Sequence, residues 1–121
     1  MLAIHIIFNG QCYDAIELYK NVFNATVKEI IYDDKRNQVI HAEMLIHDQL
    51  VMLNDFGDQE SYLRSGGYQL CVRFDNKKDL YKAYNALEAD SKTITPLQPT
   101  DYSPCIVRFI DKFDVRWAFW V

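Results

Sequence analysis

The sequence predicts an α+β fold of two βαβββ modules within one domain, residues 1–56 and 67–121, joined by a linker at 57–66. Three observations predict it. Two segments carry apolar residues at helical spacing, each preceded by one short β-rich run and followed by three more. The second pattern repeats the first at an offset of 64 residues with no gap. The chain has 121 residues, half of them hydrophobic and a quarter charged, which suffices for one substantial core but not for two large domains.

The first strand is expected over Leu2–Phe8, broken by Asn9-Gly10. Ala15, Ile16, Tyr19, Val22 and Phe23 then recur at i, i+3, i+4 spacing with polar residues between them, an amphipathic helix over Cys12–Asn24 that Asn24 terminates. Strands follow at Thr26–Tyr32, Val39–His47 and Leu50–Leu53, separated by the polar turn 33–37 and a tight turn at Asp48-Gln49. In the middle strand Ala42, Met44 and Ile46 share one face, and His41, Glu43, Leu45 and His47 share the other. The Gly-containing stretch after Leu53 is the linker. The order then restarts with a strand at Tyr68–Phe74. Asp75-Asn76 caps a helix with the spine Leu80, Ala83, Tyr84 and Leu87. Strands at Thr93–Leu97, Ile106–Ile110 and Val115–Val121 complete the second module, with a turn near Lys112–Asp114. At the 64-residue offset Asn21, Ala25, Lys28, Ile30, Ile46 and Val51 meet identical residues. Apolar pairs such as Ile16/Leu80, Phe23/Leu87, Leu45/Phe109 and Leu53/Trp117 also coincide.

Composition excludes several classes. The formal net charge is -4, and no basic tract marks a nucleic-acid footprint. Apolar runs are far shorter than the roughly 20 residues of a membrane helix. The N-terminus lacks the basic and apolar regions of a signal peptide. Cys12, Cys71 and Cys105 are odd in number and widely spaced, so free thiols in a reducing cytoplasm are expected rather than a disulfide framework or a zinc cluster.

The residues also suggest a family. Phe8 to Phe23 (FNGQCYDAIELYKNVF), His41-Ala-Glu-Met44, Pro96-Leu-Gln-Pro-Thr100 and Asp111 to Trp117 (DKFDVRW) resemble the vicinal oxygen chelate superfamily of glyoxalases, bleomycin-resistance proteins and dioxygenases, and within it the PhnB-like group. The resemblance spans the chain. It implies that the two modules form a curved mixed sheet around a cavity, and that the chain is a homodimer. It also implies a metal-ligand pattern for metal-dependent members, on the first and fourth strands of each module. Carried over at the 64-residue offset, those positions are His5, Gln69, Asn54 and Ala118. An amide and a methyl stand where charge should neutralise a divalent ion, so no metal is the first expectation, with His5 and Gln69 as its ligands if one is present. Strand alternation offers a second set, His5 with His41 and Glu43, as a facial triad. Equally, His41 and Glu43 are strand residues paired with each other or with Arg73 or Arg116.

The expected ligand cavity is lined by His5, His41, Glu43, Asn54, Gln69, Cys71, Arg73, Cys105, Arg116 and Trp120. Cys71 and Cys105 are nucleophiles only beside a base, and otherwise inert. Asp55, at a strand end, is either a site carboxylate or a solvated start of the linker. No Gly-rich phosphate loop or Gly-x-Ser-x-Gly is present. Three functions remain open on these residues: a metal-free small-molecule binding protein, of the sequestration or resistance type; a divalent-metal-dependent lyase, isomerase or dioxygenase; and a non-catalytic interaction module with a collapsed cavity. No nucleic-acid or membrane partner is expected.

Overall fold

The computed structural model describes residues 1–55 and 66–121, in two compact units that divide at residue 63. The first unit contains β1 (Ile4–Phe8), α1 (Cys12–Phe23), β2 (Thr26–Tyr32), β3 (Val39–Ile46) and β4 (Gln49–Asp55). The second contains β5 (Leu70–Arg73), α2 (Lys77–Leu87), β6 (Lys92–Gln98), β7 (Ile106–Ile110) and β8 (Arg116–Trp120). Each unit is thus βαβββ, an α+β architecture. The expected linker, apart from Gly66, lies outside the described residues.

Both sheets are mixed and four-stranded, with orders β1-β4-β3-β2 and β5-β8-β7-β6. In each, the first strand is parallel to the last and the remaining pairs are antiparallel. Neither sheet closes, and β1, β2, β5 and β6 are edges. The helix covers one face of its sheet. From α1, Ala15, Ile16 and Tyr19 are fully buried, and the sheet meets them with Ile6, Phe8, Ala42, Met44, Val51 and Leu53. From α2, Tyr84 stacks edge-on to Phe109 at 5.0 Å, and Phe109 to Phe119 at 5.1 Å.

The ends of these elements follow local chemistry. Asn24 stops α1 in the left-handed conformation (φ 49°, ψ 44°), which Asn tolerates well. Asn76 caps α2 by accepting the Asp79 N–H at 2.9 Å. The β3–β4 turn is His47-Asp48 rather than the expected Asp48-Gln49. Both residues have positive φ (48° and 65°), as a two-residue hairpin turn demands, and Gln49 already pairs with Ile46.

Two buried carboxylates hold connections in place. Asp55 accepts the Cys12 N–H at 3.1 Å and the Val39 N–H at 2.9 Å, tying the start of α1 to the start of β3. It is 7% exposed, so it is not a solvated start of the linker. Asp111 accepts the Phe113 N–H (2.9 Å), the Val115 N–H (3.0 Å) and the Trp117 Nε1–H (2.8 Å), and so shapes the β7–β8 turn.

The ungapped 64-residue repeat is corrected by strand register. The turn in the first hairpin has two residues. In the second, Asp111 donates its N–H to Val115 O, which leaves Lys112–Asp114 as a three-residue turn. Matching the hairpins superposes the buried row Ile6–Leu53–Ala42 on Val72–Phe119–Val107. The helices keep the offset of 64, but the other strands are displaced from it. In β7 the displacement is odd, which exchanges the two faces. Leu45 therefore has no facial counterpart in Phe109: Leu45 is half-buried on the face away from α1, whereas Phe109 is fully buried against α2. The partner of His5 in the second unit is Cys71, not Gln69, and that of Asn54 is Trp120, not Ala118.

Candidate functional site

The candidate site residues sit on the helix-free faces, because alternation sends odd positions of β1 and β3 and even positions of β4 and β8 away from the helices. On the first sheet, His5 Nε2 hydrogen-bonds Asn54 Oδ1, and Asn54 Nδ2 donates to Asp55 O at 2.7 Å. His41 Nε2 lies 3.1 Å from Glu43 Oε1, with both side chains about one-third exposed. These are two pairs, not one triad. Met52 of β4 stands between His5 and Glu43 in register, and two strand spacings separate the pairs by roughly 10 Å. The structure instead adds Glu29 to His41 and Glu43, with one ligand atom from each within 4.8 Å of the others.

On the second sheet, Gln69 Oε1 accepts from Arg108 Nε at 3.0 Å, and the Arg73 guanidinium lies 5.2 Å from the Trp120 ring centre. Ala118 sits in the middle of this face. Arg108 is its cross-strand partner on one side and Cys71 on the other, while Arg116 and Trp120 flank it along β8. Ala118 is itself buried at 8% exposure, and three cations, Arg73, Arg108 and Arg116, share its face. Among the described residues no carboxylate pairs with Arg73, Arg108 or Arg116, and the one ion pair is His41–Glu43. Arg108 was not anticipated from sequence. The 64-residue offset equates it with Met44, a residue of the helix-facing side; the alternation of Val107 and Phe109 around it was the available signal.

Cys105 is the one expected cavity residue that the structure removes from these faces. It precedes β7 and is 2% exposed. Its thiol lies beside Tyr81 of α2, which holds the Tyr81 phenol above its ordinary pKa. The physical reason is parity: Cys105 shares the helix-facing register of Val107 and Phe109. Cys12 is fully buried, and burial, then the Asp55 carboxylate, pushes its thiol far up, so it stays protonated and unreactive. Cys71 is exposed. A thiol reagent at pH 8 should therefore modify one of the three cysteines in the native chain and all three in guanidinium chloride. Native modification of all three would overturn the burial assigned to Cys12 and Cys105.

A separate open cleft of about 380 Å³ lies in the first unit, lined by Gly10, Tyr13, Tyr32, Arg36 and Asp55 among others. Arg36 packs over the Tyr32 ring at 4.8 Å, and Asp55 spends both oxygens on backbone N–H groups. None of the other expected site residues lines it.

The βαβββ fold has known relatives. Residues 3–119 fit the family model of the Glyoxalase/Bleomycin resistance protein/Dioxygenase superfamily. The chain belongs to this superfamily. No curated protein matches it. Among solved structures, a PhnB protein from Bacillus cereus superposes with a TM-score of 0.90 at 20% identity, covering 98% of this chain and 97% of that one. Protein PA1353 from Pseudomonas aeruginosa gives 0.83 at 23%, covering 99% and 96%. The fosfomycin resistance protein FosX from Listeria monocytogenes, complexed with Mn(II) and 1S,2S-dihydroxypropylphosphonic acid, gives 0.72 at 15%, covering 99% and 90%. The fold is PhnB-like, and at these identities the likeness is one of fold.

The metal pattern implied for metal-dependent members of the superfamily does not fit this chain. By register its four positions hold an imidazole, an amide, a thiol and an indole: His5, Asn54, Cys71 and Trp120. The imidazole and amide are spent on each other, and an indole N–H donates but offers no lone pair to a metal. Replacing Cys71 and Trp120 by Gln69 and Ala118 helps little, since Gln69 accepts from Arg108 and Ala118 has no donor. None of these positions holds a carboxylate to offset a divalent charge.

Proposed function

We propose that the chain is a small-molecule binding protein that takes an anionic ligand on the helix-free face of its second sheet, without a metal at the superfamily positions. The observation that carries this is that Arg73, Arg108 and Arg116 share the helix-free face of the second sheet, with no carboxylate partner among the described residues. Guanidinium groups match carboxylate and phosphate oxygens two at a time. Trp120 beside them supplies an apolar surface for a planar group. Nothing in this arrangement demands turnover, and binding of the sequestration or resistance type accounts for it. The chain is taken to act as one domain and as a homodimer in the cytoplasm. Exposed Ile31, Ile40, Ile94 and Leu97 support self-association, and three free cysteines support a reducing compartment.

Thermal shift and calorimetric titration with benzoate, phenylphosphonate and benzyl alcohol test this at low salt. Both anions should stabilise the chain, and the neutral alcohol should not. Arg116→Gln and Arg108→Gln should each weaken anion binding by roughly tenfold or more, the cost of one charge-assisted contact. Equal shifts with all three compounds would remove the cations from the reading. No shift with any would favour an interaction module.

A further inference from the structure

We infer that Glu29, His41 and Glu43 form a divalent transition-metal site on the helix-free face of the first sheet. The site lies on β2 and β3, away from the β1 and β4 positions of the superfamily pattern, and it does not rest on the function proposed above. One imidazole nitrogen and two carboxylate oxygens lie within 4.8 Å of one another. That donor set suits Mn²⁺, Fe²⁺ or Zn²⁺, balances a 2+ charge, and leaves coordination positions for water or a ligand.

The register gives an independent reason. Val27 pairs with Met44, so a regular antiparallel ladder would next place Lys28 opposite Glu43, a favourable cross-strand ion pair. A register shift between Val27 and Glu29 instead puts Glu29 opposite Glu43. The bulge thus exchanges an attractive pair for two like charges directly across the ladder, a destabilising arrangement in isolation. Among the described residues no Lys or Arg ion-pairs with either glutamate, and the one ion pair in the cluster is His41 with Glu43. The neighbouring side chains in register, Met52 across from Glu43 and Ile31 across from His41, are apolar and offer no counter-charge. A bound cation resolves the repulsion and uses all three groups.

The test is Mn²⁺ titration of the ¹⁵N-labelled full chain at neutral pH, read by paramagnetic broadening of amide resonances. Mn²⁺ discriminates against Cys71 and the other histidines as sole ligands. The expected result is saturable broadening centred on Glu29, His41 and Glu43. Glu43→Gln should weaken binding roughly tenfold or more. Glu29→Gln replaces an exposed side chain and should do the same, while raising the metal-free melting temperature because the like-charge pair is gone. That second readout keeps the test decisive if Glu43→Gln folds poorly. His47→Asn, which keeps a residue tolerant of positive φ in the turn, should bind Mn²⁺ as wild type does. Broadening centred elsewhere, such as on Asp33 and Asp34, would overturn the proposal. So would Glu29→Gln binding as tightly as wild type, or no saturation below about 1 mM.

Discussion

Asp111→Ala is expected to lower the unfolding free energy by about 3–5 kcal/mol, the cost of removing the shared acceptor of three buried donors. The side chain is 4% exposed and accepts from two backbone N–H groups and the Trp117 indole. Alanine leaves those three buried donors unpaired, at about 1–3 kcal/mol each before relaxation or entry of water. Asp111→Asn retains an acceptor oxygen for the two backbone groups and turns an amide N–H toward the indole, so its loss should be smaller, about 1–2 kcal/mol. Urea unfolding measures both, with the midpoint falling and the slope unchanged. The consequence reaches the site. Asp111 shapes the turn that sets the β7–β8 register, and that register places Arg108 and Arg116 on either side of Ala118. A loss below about 1 kcal/mol for Asp111→Ala would mean that the turn holds without it.

Phe119→Ala is expected to cost a similar amount, about 3–5 kcal/mol, for a different reason. Phe119 is fully buried, and its ring lies 5.0 Å from Phe74, 5.1 Å from Phe109 and 6.0 Å from Trp117, all in edge-on geometry. Truncation removes the apolar transfer energy and leaves a cavity that three rigid rings cannot readily fill. Phe119→Leu should retain most of the volume and cost about 1–1.5 kcal/mol. Comparing the two by denaturant unfolding separates cavity formation from loss of aromatic contact. Near-equal losses would assign the effect to ring–ring geometry.

Both residues show why the framework was legible in the amino-acid sequence. Elements declare themselves through periodicity over 5 to 12 residues: the stripe Ala15, Ile16, Tyr19 and Phe23 marked α1, and the alternation around Ala42, Met44 and Ile46 marked both faces of β3. The stop at Asn24 was legible too, and the cap was narrowed to Asp75-Asn76, of which the structure selects Asn76, because a cap depends only on its own backbone and that of the next few residues. From these local signals came the βαβββ order of each unit and the likeness to the superfamily.

Register was beyond such signals. It depends on how many residues each connection absorbs, and the one-residue difference between the His47-Asp48 turn and the Lys112–Asp114 turn puts β7 out of phase with β8, a reversal of faces that an ungapped repeat does not show. That reversal hid Arg108 and placed Cys105 in a cavity when it packs beside Tyr81. A bulge likewise put Glu29, rather than Lys28, opposite Glu43. The sequence alone determined which segments are strands and helices and which side chains have the chemistry to matter. Tertiary structure decided which of those side chains meet, because pairing across a sheet is set by non-local hydrogen bonds between strands whose spacing along the chain carries no fixed phase.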